Sequence, residues 1–115
     1  MNTWKINGAE FELDVQDADT MERYENAFAK MSKEEHEVPK VGKQSEIIKA
    51  HCRLYKRLFN RIFGENASEK IFGNKPENIA VYDDVYFSFL DFVREQMIES
   101  ARIRAEKLMK YRPKK

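Results

Sequence analysis

The stretch Ile62-Phe63-Gly64-Glu65-Asn66-Ala67-Ser68-Glu69-Lys70-Ile71-Phe72-Gly73 constrains this chain more than any other. Two Phe-Gly pairs bracket a polar step and one turn of helix-forming residues. Gly accepts backbone angles that penalise a Cβ, so it favours a helix C-terminus. Asn66 with Glu69 three residues on fits a capping box that restarts a helix. The chain therefore writes a stop, a restart and a second stop within a dozen residues. Whatever helices flank it are separate rods that must pack side by side.

The first thirteen residues follow a different rule. Asn7-Gly8 accepts the positive φ of a type I′ turn, the favoured two-residue hairpin connection. That turn sets Ile6 against Ala9, Lys5 against Glu10, Trp4 against Phe11 and Thr3 against Glu12. One face then carries Trp4, Ile6, Ala9 and Phe11, and the other is polar. Alternation and charge agree with the register. A lone hairpin is marginal in water, so its apolar face must lie on helices or on another chain.

Helical spacing organises the rest. Met21, Tyr24, Phe28 and Met31 line a first helix over about Thr20–Lys33, with Asp19 and Glu22 as its capping box. Residues 33–44 turn polar, contain Pro39 and Gly42, and predict a flexible linker. A second helix is expected from a Ser45 N-cap to Phe63, with Ile47, Ile48, Leu54, Tyr55, Leu58, Phe59 and Ile62 on its apolar side. Its other side carries Lys49, Arg53, Arg57 and Arg61 at four-residue intervals, widened by Lys56. A short third helix spans Ala67–Phe72. Pro76 suits the first turn of a fourth. Its apolar arc from Ile79 to Met97 covers about half the circumference, more than one packing stripe. Phe87 falls outside that arc. The pattern runs on toward Leu108 with the arc thinning. The expected fold is mostly α: an N-terminal β-hairpin followed by three to four helices in a small bundle, the last one long. Residues 1–110 form one domain, and 111–115 a basic disordered tail.

Composition narrows the function. The 115 residues suit one domain. No apolar run approaches the roughly 20 residues of a membrane span. Trp4-Lys5-Ile6-Asn7-Gly8 breaks any early apolar run, so no signal peptide is expected. One cysteine, Cys52, excludes an internal disulfide and fits a reducing cytoplasm. The net charge of +1 is blocky. Residues 1–37 hold 4 basic and 10 acidic side chains, and residues 38–63 hold 7 and 1. Residues 64–101 hold 3 and 8, and residues 102–115 hold 7 and 1. Alternating blocks pair within a fold or between copies of it, unlike a uniformly basic nucleic-acid binder.

No constellation predicts catalysis. His51-Cys52 and a distant His36 fall short of a zinc site's four ligands, so no metal or cofactor is expected. Asp83, Asp84, Asp91 and Glu95 suit a solvated face, or partners for the basic side of the second helix. The glycines form no phosphate loop. Lys49, Arg53, Arg57 and Arg61 are the alternative: a small regulatory or nucleic-acid-binding protein, with phosphates on that basic face. Trp4, Phe11, Tyr82, Tyr86 and Phe89 are the residues for packing or partner contact, undivided between the two.

On the hairpin and the Phe-Gly doublet the chain resembles the small tail assembly chaperones of long-tailed phages infecting Gram-positive bacteria. The matching stretches are Ile6-Asn7-Gly8-Ala9-Glu10-Phe11-Glu12-Leu13 and Phe63 to Gly73; Asn66, Ala67 and Ser68 depart from the family pattern. The chain is also similar to uncharacterised small proteins encoded near such tail genes. The resemblance implies a mostly helical, self-associating protein that is no enzyme. Its partner would be a tape measure protein, whose apolar helical surface it keeps shielded until the tail tube assembles. Membrane and nucleic acid are not expected partners.

Overall fold

The computed structural model describes residues 2–112. Strands β1 (Thr3–Ile6) and β2 (Ala9–Glu12) pair antiparallel in the expected register, Trp4 against Phe11 and Lys5 against Glu10. Asn7 (φ 48°) and Gly8 (φ 82°) make the turn. The Asn7 amide then donates to the Ile71 carbonyl at 2.8 Å, tying the turn to a distant helix.

Four helices follow: α1 (Ala18–Glu35), α2 (Gln44–Phe63), α3 (Ala67–Phe72) and α4 (Ile79–Lys110). The mostly-α fold with an N-terminal hairpin and a long last helix is as the sequence predicts. Several details differ. The α1 N-cap is Asp17, not Asp19: its carboxylate accepts from the Thr20 amide and hydroxyl. Helix α1 also runs to Glu35, so the loop before α2 is shorter than expected. Backbone bonds from His36, Glu37 and Val38 back to Lys33, Glu34 and Glu35 start that loop as a turn, and Val38 packs on the core. Helix α2 begins at Gln44 after Lys43, and Ser45 is not its cap.

The Phe-Gly doublet stops both helices as expected, at Gly64 (φ 114°) and Gly73 (φ 50°). The Asn66–Glu69 capping box does not form. Instead Asn60 of α2 accepts the Ser68 amide at 2.8 Å, which satisfies one of the donors left open at a helix start. In return Arg23 of α1 donates to the Ile62 carbonyl near the end of α2, at 2.8 Å.

Trp4 is the centre of the core. Its indole lies 5.5 Å from the Phe59 ring, 5.1 Å from Phe89 and 6.1 Å from both Phe11 and Phe63. Its N–H donates to Ser88 Oγ at 3.2 Å, so the one polar atom of the ring is satisfied. Phe72 and Tyr82 stack flat, centroids 3.9 Å apart. The hairpin thus docks its apolar face on α2 and α4, which stabilises strands too few to stand alone.

The body does not account for all of α4. The molecule measures 68 × 30 × 22 Å, with a Cα radius of gyration of 17.5 Å. A compact chain of this length would have about 13 Å. The excess is the C-terminal part of α4, which leaves the body beyond Gln96. From Ala101 onward every described residue is exposed. The tail assigned to 111–115 is described only for Tyr111 and Arg112, and the rest of it lies outside the described residues.

Candidate interaction surface

The 32 residues of α4 show two faces. Tyr82, Val85, Phe89, Val93 and Gln96 recur at three- and four-residue steps and face the body. A second apolar line runs along the outer side. Phe87 (54% exposed), Ile98 (58%) and Met109 (72%) lie eleven residues apart, three helical turns, and so share a face. Met97 and Leu108, again eleven apart, sit beside them, with Ala101 and Ala105 between. At 1.5 Å per residue the line from Phe87 to Met109 is about 33 Å long. Exposed Asp91 and Arg94 interrupt it between Phe87 and Ile98, and from Ile98 to Met109 it runs on through Ala101, Ala105 and Leu108. An exposed apolar strip of this kind suits contact with another apolar surface.

A wall of the same helix borders an open groove of about 500 Å³ where the arm leaves the body. Asn2, Gln16, Gln96, Ser100, Ile103 and Tyr111 contribute to its lining. The side-chain oxygen of Gln96 accepts the Val15 amide at 3.0 Å, fixing the β2–α1 connector against α4 at the groove's inner end.

The sequence-predicted residues divide sharply. Trp4, Phe11, Tyr82 and Phe89 are buried and Tyr86 is half-buried against Tyr55, Phe28 and Phe87. They are packing residues: with these rings inside, none of the four buried ones can meet a partner. The exposed apolar side chains of α4 are instead Phe87, Met97, Ile98, Leu108 and Met109. The signal was present as the eleven-residue recurrence, hidden because the inner arc of the same helix dominates its pattern.

The basic face of α2 is divided as well. Arg61 makes two bonds, 2.7 and 3.0 Å, to the Glu34 carboxylate of α1, and Arg57 lies 3.6 Å from it. The Arg61 hydrogen bonds hold the Glu34 carboxyl below the usual range. Lys56 pairs with Glu77 at 3.5 Å. Lys49 and Arg53 are exposed and make no such pair among the described residues. Arg57 and Arg61 therefore join α1 to α2. Asp83 accepts from the Tyr55 hydroxyl, so its partner is a phenol of α2 and not the basic stripe.

Cys52 is fully buried, and desolvation raises its thiol pKa, the reverse of a reactive thiolate. His51 is half-buried and His36 exposed. Among the described residues no group of three or more His, Cys, Asp or Glu could hold a metal ion. None of the described helices is long and apolar enough to cross a membrane.

A family model described as a family of unknown function (DUF6673) matches residues 7–115, nearly the whole chain. No curated protein and no solved structure matches.

Proposed function

This chain belongs to the DUF6673 family of unknown function, and we propose that it is a non-enzymatic assembly chaperone or scaffolding protein. In this reading α4 covers apolar helical surface on a second protein, and no bond is made or broken. The observation that carries it is the outer line Phe87–Ile98–Met109, which continues past the body on a free helix. A helix presenting one apolar face is the element that helix-in-groove and helix-on-helix recognition uses. The resemblance to tail assembly chaperones names the client: the long apolar helix of a phage tape measure protein.

The energetics fit transient shielding. Apolar burial contributes about 25 cal/mol per Å². A ribbon of roughly 300 Å² would give about 7 kcal/mol, which the cost of association largely offsets. Single contacts are weak and reversible, and rows of copies on a long helix hold through multivalency. The phosphate-binding alternative has less support, since Arg57 and Arg61 already serve Glu34.

Co-expression of the chain with a tape-measure-type helical client, followed by size-exclusion chromatography with light scattering, tests the reading. The expected result is a soluble co-eluting complex that Phe87→Asp with Ile98→Asp abolishes. A client equally soluble alone, which never co-elutes, ends the proposal. A salt series separates the alternative: four phosphate contacts weaken steeply, with a log–log slope of about −3 to −4, and apolar contacts barely respond.

A further inference from the structure

Beyond Gln96 the side of α4 that packs on the body continues as one wall of the open groove. Gln96, Ser100, Ile103, Lys107 and Tyr111 follow one another at three- and four-residue steps, in line with Phe89 and Val93. At 1.5 Å per residue the strip from Gln96 to Tyr111 is about 22 Å long. Exposed cations stand on this side: Arg104 and Lys107 in the groove wall, and Lys110 three residues on. None of the three makes an ion pair among the described residues. Glu99, which also touches the groove, is already matched by Arg102. The helix dipole accounts for Lys107 and Lys110 in the last turn of α4, but its influence fades before Arg104.

We infer that this groove seats a helix of another protein whose apolar side chains are flanked by carboxylates. Ile103, Leu108 and Tyr111 offer the apolar contact. Ser100 between them and the body is small enough to let a helix approach closely. Its hydroxyl already donates to the Met97 carbonyl at 3.2 Å, so covering it strands no donor. Arg104 and Lys107 then meet carboxylates beside the apolar stripe, the charge complement that the ion pairs of α4 leave unfilled. A nucleic acid fits this wall less well, because a phosphate backbone calls for a row of cations and not for an isoleucine and a leucine set among them. The groove lies across α4 from Phe87, Ile98 and Met109. It is therefore a second partner site, beyond the surface assigned to the client, and α4 can hold the two partners on opposite sides.

Fluorescence anisotropy of the full chain with three labelled amphipathic peptides tests the site. The first peptide carries a leucine stripe flanked by glutamates. The second has lysines for the glutamates, and the third has serines for the leucines. The first should bind about tenfold more tightly than either of the others, or better. Arg104→Glu with Lys107→Glu should weaken it about tenfold and strengthen the lysine peptide, a reversal that loss of structure cannot produce. Ile103→Asp should also weaken the first peptide, and Phe87→Asp with Ile98→Asp should leave it unchanged. A chain that does not bind the leucine–glutamate peptide overturns the inference. So does binding that survives Arg104→Glu with Lys107→Glu, binding that Phe87→Asp with Ile98→Asp abolishes, or equal binding of the serine peptide. A single-stranded oligonucleotide that binds more tightly than the first peptide, and is lost on the same charge reversal, overturns it in favour of phosphates. The two proposals fail separately: a client complex that depends on Phe87 and Ile98 stands without the peptide, and groove binding stands without a client.

Discussion

Phe87 and Phe89 lie two residues apart on α4, about 200° around the helix. Truncating each to Ala separates the two faces by measurement. Phe89 is fully buried, with ring centroids 5.1 Å from Trp4, 5.4 Å from Phe59 and 5.7 Å from Phe63. Removing it deletes the transfer free energy of a buried ring and leaves a cavity that rigid aromatic neighbours cannot close. Phe89→Ala should cost about 3–5 kcal/mol. A domain of this size has about 6–17 kcal/mol in total, so the variant stays folded in water but unfolds at much lower urea. Phe87 is 54% exposed, and its loss should change stability by about 0.5 kcal/mol or less. Trp4, the single tryptophan, sits against Phe89 and reports unfolding by fluorescence. The assay is equilibrium urea denaturation of parent and both variants with matched slopes. A Phe89→Ala cost below about 1.5 kcal/mol, or a Phe87→Ala cost as large as that of Phe89→Ala, would refute the assignment of faces.

Other outcomes follow from single residues. Gly64→Ala should cost at least about 1 kcal/mol in thermal unfolding through backbone strain alone, since φ is 114° and a Cβ there would meet nothing within 4 Å. Asn60→Ala removes the cap on α3 and should cost about 0.5–2 kcal/mol, with the amides at the start of α3 losing hydrogen-exchange protection first. Glu34 has its folded pKa lowered, chiefly by the hydrogen bonds from Arg61. Its stabilisation is therefore present above the ordinary carboxylate value of 4.5 and lost as pH falls through the lower folded value. Glu34→Gln should be less stable than the parent at neutral pH, with the gap closing below about pH 4 in acid denaturation.

The division between what was legible and what was not follows the range of each cause. Asn7-Gly8 and the two Phe-Gly pairs act through the φ angles that those residues accept, a property of a few consecutive atoms. The hairpin register and both helix stops could therefore be read directly. Helix spans followed from hydrophobic period, which is also local. Caps supplied from afar could not be read that way. Asn60 serves α3 and Arg23 serves the end of α2 because packing brings them there, and an Asp17 cap competes with Asp19 on geometry that no spacing resolves. Period alone also cannot tell which apolar side a neighbour will cover. The aromatic rings of α4 were legible as apolar, but only the docked hairpin and α2 decide that Phe89 is inside. Ile98 and Met109 are left in water because none of the described elements packs over that side of α4. Chain-local stereochemistry determined the elements, and the placement of distant segments determined which surface was left over.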